Sequence, residues 1–238
     1  MLDINTQIKE FRGASANRIP DSVLTATEPL VMRGLVSDWP MVTAANQSTA
    51  AATAYLQSFD SGKPLSAMIG DAEINGRIFY NSDLSGFNFQ HQRMQLSEVL
   101  QSLADYSPMQ SPPTLYVGST NIDNWLPGFN ADNHLALDKQ DPMVSIWICN
   151  QSRIAAHYDF PSNIACCVAG RRRFTLFPPD QLKNLYVGPI DRTPAGQPIS
   201  LVDFAEPDYK QYPKFREALQ SAQVVELAPG DALLIPSM

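Results

Sequence analysis

Long apolar runs are missing from this 238-residue sequence. None approaches the roughly 18 residues that a bilayer-spanning helix needs. Met1-Leu2-Asp3-Ile4-Asn5 has neither the basic nor the apolar region of a signal peptide, so a cytoplasmic protein with no membrane partner is expected. Cysteine is scarce: Cys149, Cys166 and Cys167 are odd in number and include no CxxC, which speaks against a disulfide framework and favours reduced, mostly buried thiols. Positive charge is also short, 17 basic against 24 acidic side chains, and the net charge of −7 repels polyanions. DNA is not an expected partner, and RNA is the least suited substrate. No Gly-rich phosphate loop, no GxSxG and no nucleophilic-cysteine signature is present.

What is there is a globular chain. Hydrophobic residues make up 44% and aromatics 9%, too many for a disordered segment. At 26.3 kDa a folded chain buries about 70% of its extended surface, enough for a core without staples. Repeats, low-complexity segments and Gly/Ser linkers are absent, so a single domain is expected. Leu2, Ile4, Ile8 and Phe11 suit a short amphipathic helix, and the alanine-rich stretch 49–59 suits another. Leu96, Val99, Leu100 and Leu103 follow the i, i+3, i+4, i+7 pattern of a helix with one buried stripe. The stretch 28–36 reads as a strand closed by Ser37-Asp38-Trp39-Pro40.

Beyond residue 110 the texture changes to short apolar runs between Pro, Gly, Asn and Asp, the pattern of antiparallel β structure. Strands are expected at 114–119, 143–149, 154–159, 163–169, 172–177, 224–227 and 232–236. A long excursion over 191–213 leads to a short helix at 214–221. Gly170-Arg171 and Pro229-Gly230-Asp231 supply turns. The expected fold is mainly β with flanking helices, a jelly roll: a helix-rich N-terminal wrap over 1–110 and a jelly-roll core over 111–238.

His157-Tyr158-Asp159 is the first candidate for chemistry. On a strand, residues two apart face the same way about 7 Å apart, so this imidazole and carboxylate can meet at one ion. Arg172 shares its face with Phe174 and Leu176. If that face is inward, the guanidinium needs an anion, for which its planar fork suits a carboxylate; otherwise it snorkels to solvent. His134, two residues after Asp132, reads more simply as a solvated loop residue, and His91 as a surface or packing one. Trp147 reads as core, although its strand position also allows it to line a barrel. Phe79, Tyr80, Phe87 and Phe89 read as packing before they read as the rim of a pocket.

These stretches together resemble a family. His157-Tyr158-Asp159, Asn163, the run from Gly170 to Pro179, the run from Leu227 to Pro236, and Pro29 to Pro40 are similar to the cupin-like branch of the Jumonji-C proteins, which includes the asparaginyl hydroxylase that inhibits hypoxia-inducible factor. The resemblance covers nearly the whole chain. It implies a double-stranded β-helix that holds Fe(II) and 2-oxoglutarate and uses O2, with His157 and Asp159 as the first two metal ligands. It further implies that Arg172, where a lysine is usual, binds the far carboxylate of 2-oxoglutarate, and that Asn163 and Tyr116 are further contacts to that cosubstrate. Ile154 stands where a threonine is common. The family's third ligand is a histidine in a Trp-Trp-His run shortly after the Ile-Pro pair, so a sequence ending at Met238 is expected to be cut short of it. The expected activity is that of a 2-oxoglutarate-dependent oxygenase, a hydroxylase of a protein or small molecule, with a homodimer open for the full-length form. A non-catalytic binding module is the alternative from a different class, and a zinc or nickel cupin chemistry indifferent to O2 is a third.

Overall fold

A computed structural model describes residues 2 and 4–237. Among them eleven strands follow in chain order: β1 (Leu30–Met32), β2 (Leu65–Gly70), β3 (Arg77–Ile78), β4 (Gln90–Met94), β5 (Thr114–Asn121), β6 (Ser145–Cys149), β7 (Arg153–Ile154), β8 (Asn163–Cys166), β9 (Arg172–Leu176), β10 (Gln223–Leu227) and β11 (Ala232–Ile235). The chain divides into two compact units, Met1–Val42 with Ala155–Met238, and Thr43–Ile154. Antiparallel sheets with helices beside them make up both, the mainly β arrangement expected for a jelly roll.

In the unit formed by the two ends of the chain, β11 lies between β1 and β8, and β9 pairs with β10. The apolar faces meet in a core of Ile8, Val31, Cys167, Val225, Leu227 and Leu233, against which Phe174 and Leu176 pack. The N-terminal residues do not form the helix expected from Leu2, Ile4, Ile8 and Phe11. They run extended: the Ile8 N–H donates to Val224 O at 3.2 Å and the Phe11 N–H to Val31 O at 2.8 Å. Positions 2, 4 and 8 are all even, so the same spacing that fits a helical stripe also fits one side of an extended chain. Ile4 settles beside Ala222 and Val224. The helix expected at 214–221 is Phe215–Gln220, with Phe215 fully buried.

The β10–β11 turn is tied to the far end of the sequence. Asp231 accepts from Arg33 Nη1 at 2.8 Å, from the Gly34 N–H at 3.0 Å and from the Ala228 N–H at 3.1 Å. Arg33 also reaches Glu10 through Nε at 2.9 Å and donates to Glu226 O at 2.8 Å. Burial opposes the Asp231 charge, but the hydrogen bonds from Ala228, Arg33 and Gly34 outweigh it and hold the carboxyl below its ordinary value. Gly230 has φ +102, and its carbonyl accepts from the Val36 N–H at 2.9 Å. A Cβ there would collide with the Ser37 side chain and come within 3.3 Å of Ser37 Cα. Gly230→Ala is therefore expected to destabilise the fold by about 1–3 kcal/mol, seen as a lower denaturant midpoint; an unchanged midpoint would contradict this packing.

In the other unit, β2 and β5 form the centre of a sheet ordered β4-β2-β5-β6, and β3 runs parallel to β7. The sheet thus pairs strands from before and after residue 110. The alanine-rich helix is Thr49–Gln57, started by Ser48, whose Oγ accepts from the Ala51 N–H at 3.0 Å. The helix Leu96–Tyr106 buries Leu96, Val99 and Leu100 as their spacing predicts, and Glu98 reaches back to the Gln95 N–H at 2.7 Å.

Candidate active site

The His157–Asp159 pair lies in the unit of the chain ends, on the segment that leads into β8. It was expected on a strand over 154–159, but β7 stops at Ile154 and residues 155–159 have no ladder partner in the regular sheets. The reason is where the backbone hydrogen bonds go. The Ala156 carbonyl accepts from the Ser200 N–H at 2.7 Å, and the Ala155 carbonyl is taken by His157 Nδ1 at 2.9 Å. The two side chains therefore do not face inward by strand alternation. His157 is exposed and Asp159 half-buried.

A carbonyl only accepts, so in the neutral imidazole Nδ1 carries the hydrogen and Nε2 keeps its lone pair. An N–H given to a backbone carbonyl is the usual way a ligand histidine is oriented. Asp159 is held in the same manner, with Oδ2 accepting from Asn163 Nδ2 at 3.1 Å, which leaves Oδ1 for an ion. Asn163, assigned to the cosubstrate by resemblance, thus bonds to the carboxylate. It opens β8 in register with Ile235 of β11. Among the described residues no three His, Cys, Asp or Glu side chains cluster closely enough to cage an ion.

Arg172 opens β9 opposite Leu227. Its face is the inward one, since Phe174 and Leu176 pack on the core, and the half-buried guanidinium lies 5.4 Å from the centroid of the Phe174 ring. Burial raises the Cys167 thiol above its ordinary value although the Arg172 charge pulls the other way, and burial pushes Cys166 up to about 12. All three cysteines are free, and these two are poor nucleophiles.

The remaining candidates lie in the unit 43–154. Tyr116 is buried on β5 with Met68, Ile78 and Phe89. His91, exposed on β4, has its ring edge-on to Phe89 at 5.4 Å, in keeping with a surface and packing role. His134 is exposed after the short helix ending at Asp132. Phe87 stacks with Tyr80 at 5.7 Å and with Phe89 at 5.0 Å, so these aromatics do pack. Trp147 does not: it is 48% exposed on β6, because Ile148 takes the buried side of that strand. Sequence reading missed two features. Ser237 ties down the loop between Asp159 and Asn163, donating through N–H to Ser162 Oγ at 3.0 Å and through Oγ to the Phe160 carbonyl. The Arg33–Asp231 pair spans 198 residues. No spacing rule signals either.

Comparison with known proteins agrees with this reading of the fold. A family described as a cupin-like domain matches residues 16–238. The chain is 27% identical to the lysine-specific demethylase JMJ31 of Arabidopsis thaliana, over 96% of this chain and 46% of that protein. It is 25% identical to HSPB1-associated protein 1 of Bos taurus, over 96% of this chain and 47% of that protein. A shorter match, 32% identical over 82 residues, joins 34% of the chain to 22% of the tRNA wybutosine-synthesizing protein 5 of Danio rerio. The chain spans about half the length of the two relatives it matches almost end to end. With its sheets, turns and nearly all of its sequence accounted for in this way, the protein belongs to the cupin-like, Jumonji-C-type family.

Proposed function

We propose that the protein is an Fe(II)- and 2-oxoglutarate-dependent oxygenase, acting as a hydroxylase on a protein or small-molecule substrate. The observation that carries this reading is the match of the chain to the cupin-like family, and the local hydrogen bonds of His157 and Asp159 are compatible with it, since each engages one polar atom and leaves another for an ion. Iron with 2-oxoglutarate supplies the oxidation by O2 when bound. The protein's own residues bind and orient. His157 offers Nε2, and Asp159 offers Oδ1 together with a negative charge that favours a divalent cation. Arg172 offers a planar pair of N–H groups from a surface whose other members, Phe174 and Leu176, are apolar and exclude water. The family resemblance gives that fork the far carboxylate of 2-oxoglutarate.

Relatives named as a lysine demethylase and as a tRNA wybutosine-synthesizing protein put very different substrates on one fold, so the fold does not fix the substrate. The net charge of −7 favours a neutral or basic one. A second reading, a cupin-fold binding module without turnover, is favoured by the two-donor site among the described residues.

Calorimetric titration of the chain with Mn(II) and 2-oxoglutarate tests the proposal. Each is expected to tighten the other's binding. Arg172→Ala should weaken 2-oxoglutarate by about 10–100-fold, the worth of a charge-assisted hydrogen bond, and Arg172→Lys should fall between, keeping the charge but losing the fork. Independent binding of the two ligands, or an Arg172→Ala variant with wild-type 2-oxoglutarate affinity, would count against it.

A further inference from the structure

Asn75 is the only asparagine in the sequence that is followed by glycine. It has φ 47 and ψ 48, and Gly76 has φ 78, so both residues of this turn are left-handed, a conformation that an Asn-Gly pair adopts readily. Asn75 is exposed and Gly76 is buried. The turn is held from β7. The Arg153 N–H donates to the Gly76 carbonyl at 2.7 Å and Arg153 Nε to the Asn75 carbonyl at 2.9 Å, beside the parallel pairing of Arg77 with Arg153 and of Ile78 with Ile154. A Cβ on Gly76 would collide with the Gln151 carbonyl, so the two backbones touch there. The carboxamides of Asn81, Asn88 and Asn150 are each engaged through both oxygen and nitrogen. Among the described residues, neither the Asn75 carboxamide nor the Gly76 N–H has a hydrogen-bond partner.

An asparagine in this setting can lose ammonia. The Gly76 nitrogen bonds to Asn75 Cγ and gives up its proton, the bond from Cγ to the amide nitrogen breaks, and ammonia carries the proton away; water then opens the succinimide ring to aspartate or isoaspartate. Glycine favours the attack because no side chain screens its nitrogen. The attack needs that nitrogen on the same side of the Cα–C bond as the Asn75 side chain. At ψ 48 it lies on the opposite side, so the turn must open first. We propose that Asn75 is a deamidation site gated by this turn, with Arg153 as the latch. Closed, the turn keeps nitrogen and carboxamide apart; open, the reaction runs as in an unfolded chain. The gate does not reset, because isoaspartate puts an extra methylene into the main chain and displaces the carbonyl that Arg153 holds.

The test is peptide mapping by mass spectrometry of the chain kept warm in mildly alkaline buffer, with and without urea. In urea, Asn75 is expected to be the first asparagine converted. In the folded protein its conversion is expected to be slower by about tenfold or more, since the reaction follows the open population of the turn. Arg153→Ala removes the Nε bond and keeps the backbone one. It is expected to raise the folded rate by about 2–10-fold, the worth of one exposed hydrogen bond, and to leave the rate in urea unchanged. If Arg153→Ala shows no melting transition, Arg153→Lys, which keeps the charge and loses Nε, carries the same ordering. Equal rates at Asn75 with and without urea would overturn the gate. A wild-type folded rate in the Arg153 variant would overturn the latch, and another asparagine converting first in urea would overturn the site.

Discussion

Asp231→Ala is expected to lower stability by about 2–4 kcal/mol. The carboxylate is 13% exposed in its side chain and takes three donors at once, from Arg33, Gly34 and Ala228. Alanine removes the acceptor of all three donors and leaves two backbone N–H groups without their partner at a tight turn. Arg33 is 42% exposed and keeps Glu10 and the Glu226 carbonyl, so its loss is the smaller part. The effect has a sign in pH. The Asp231 carboxyl lies below its ordinary value of 3.8 in the folded protein, so between the two values the unfolded chain binds the proton and the folded one does not. Its contribution is complete above about 3.8 and disappears as pH falls through the folded value. Denaturant midpoints measured across that acid range should fall less steeply in Asp231→Ala than in wild type, and the two curves should converge in acid. Parallel curves would contradict the role given to this carboxylate.

The second large effect concerns turnover. If the proposed oxygenase reading holds, His157→Ala and Asp159→Ala each reduce iron- and O2-dependent consumption of 2-oxoglutarate to background. Each removes one of the two proposed metal donors, and neither side chain is buried, so the fold should survive. Melting temperatures close to wild type should accompany the loss. Consumption that persists in both variants would exclude an oxygenase working through this pair.

Particular elements show what could be read from the sequence. The helix Leu96–Tyr106 was legible because it buries one face and carries its own start signal, and the strands β8 to β11 because short apolar runs stand between turn residues. The N-terminal segment was misread because even spacings satisfy two periods, and only its hydrogen bonds to Val224 and Val31 decide between them. His157 and Asp159 were singled out on a strand geometry that the structure does not have. Alternation on a strand was to bring them together, whereas a loop orients each through a hydrogen bond of its own. Arg172 was legible as inward-facing once Phe174 and Leu176 were taken as core. The Pro229-Gly230-Asp231 turn was legible as a turn, but not that Asp231 answers Arg33 across nearly the whole sequence. Such pairs depend on tertiary placement, which local propensity does not encode.

The most direct measurement is an electron paramagnetic resonance titration of Mn(II) into the wild-type chain and into His157→Ala, with 2-oxoglutarate present. Wild type is predicted to take up the ion, weakly for a site with two protein donors, and His157→Ala to weaken uptake by about tenfold or more. Equal uptake by the two proteins would contradict the claim that this loop is built to hold a metal.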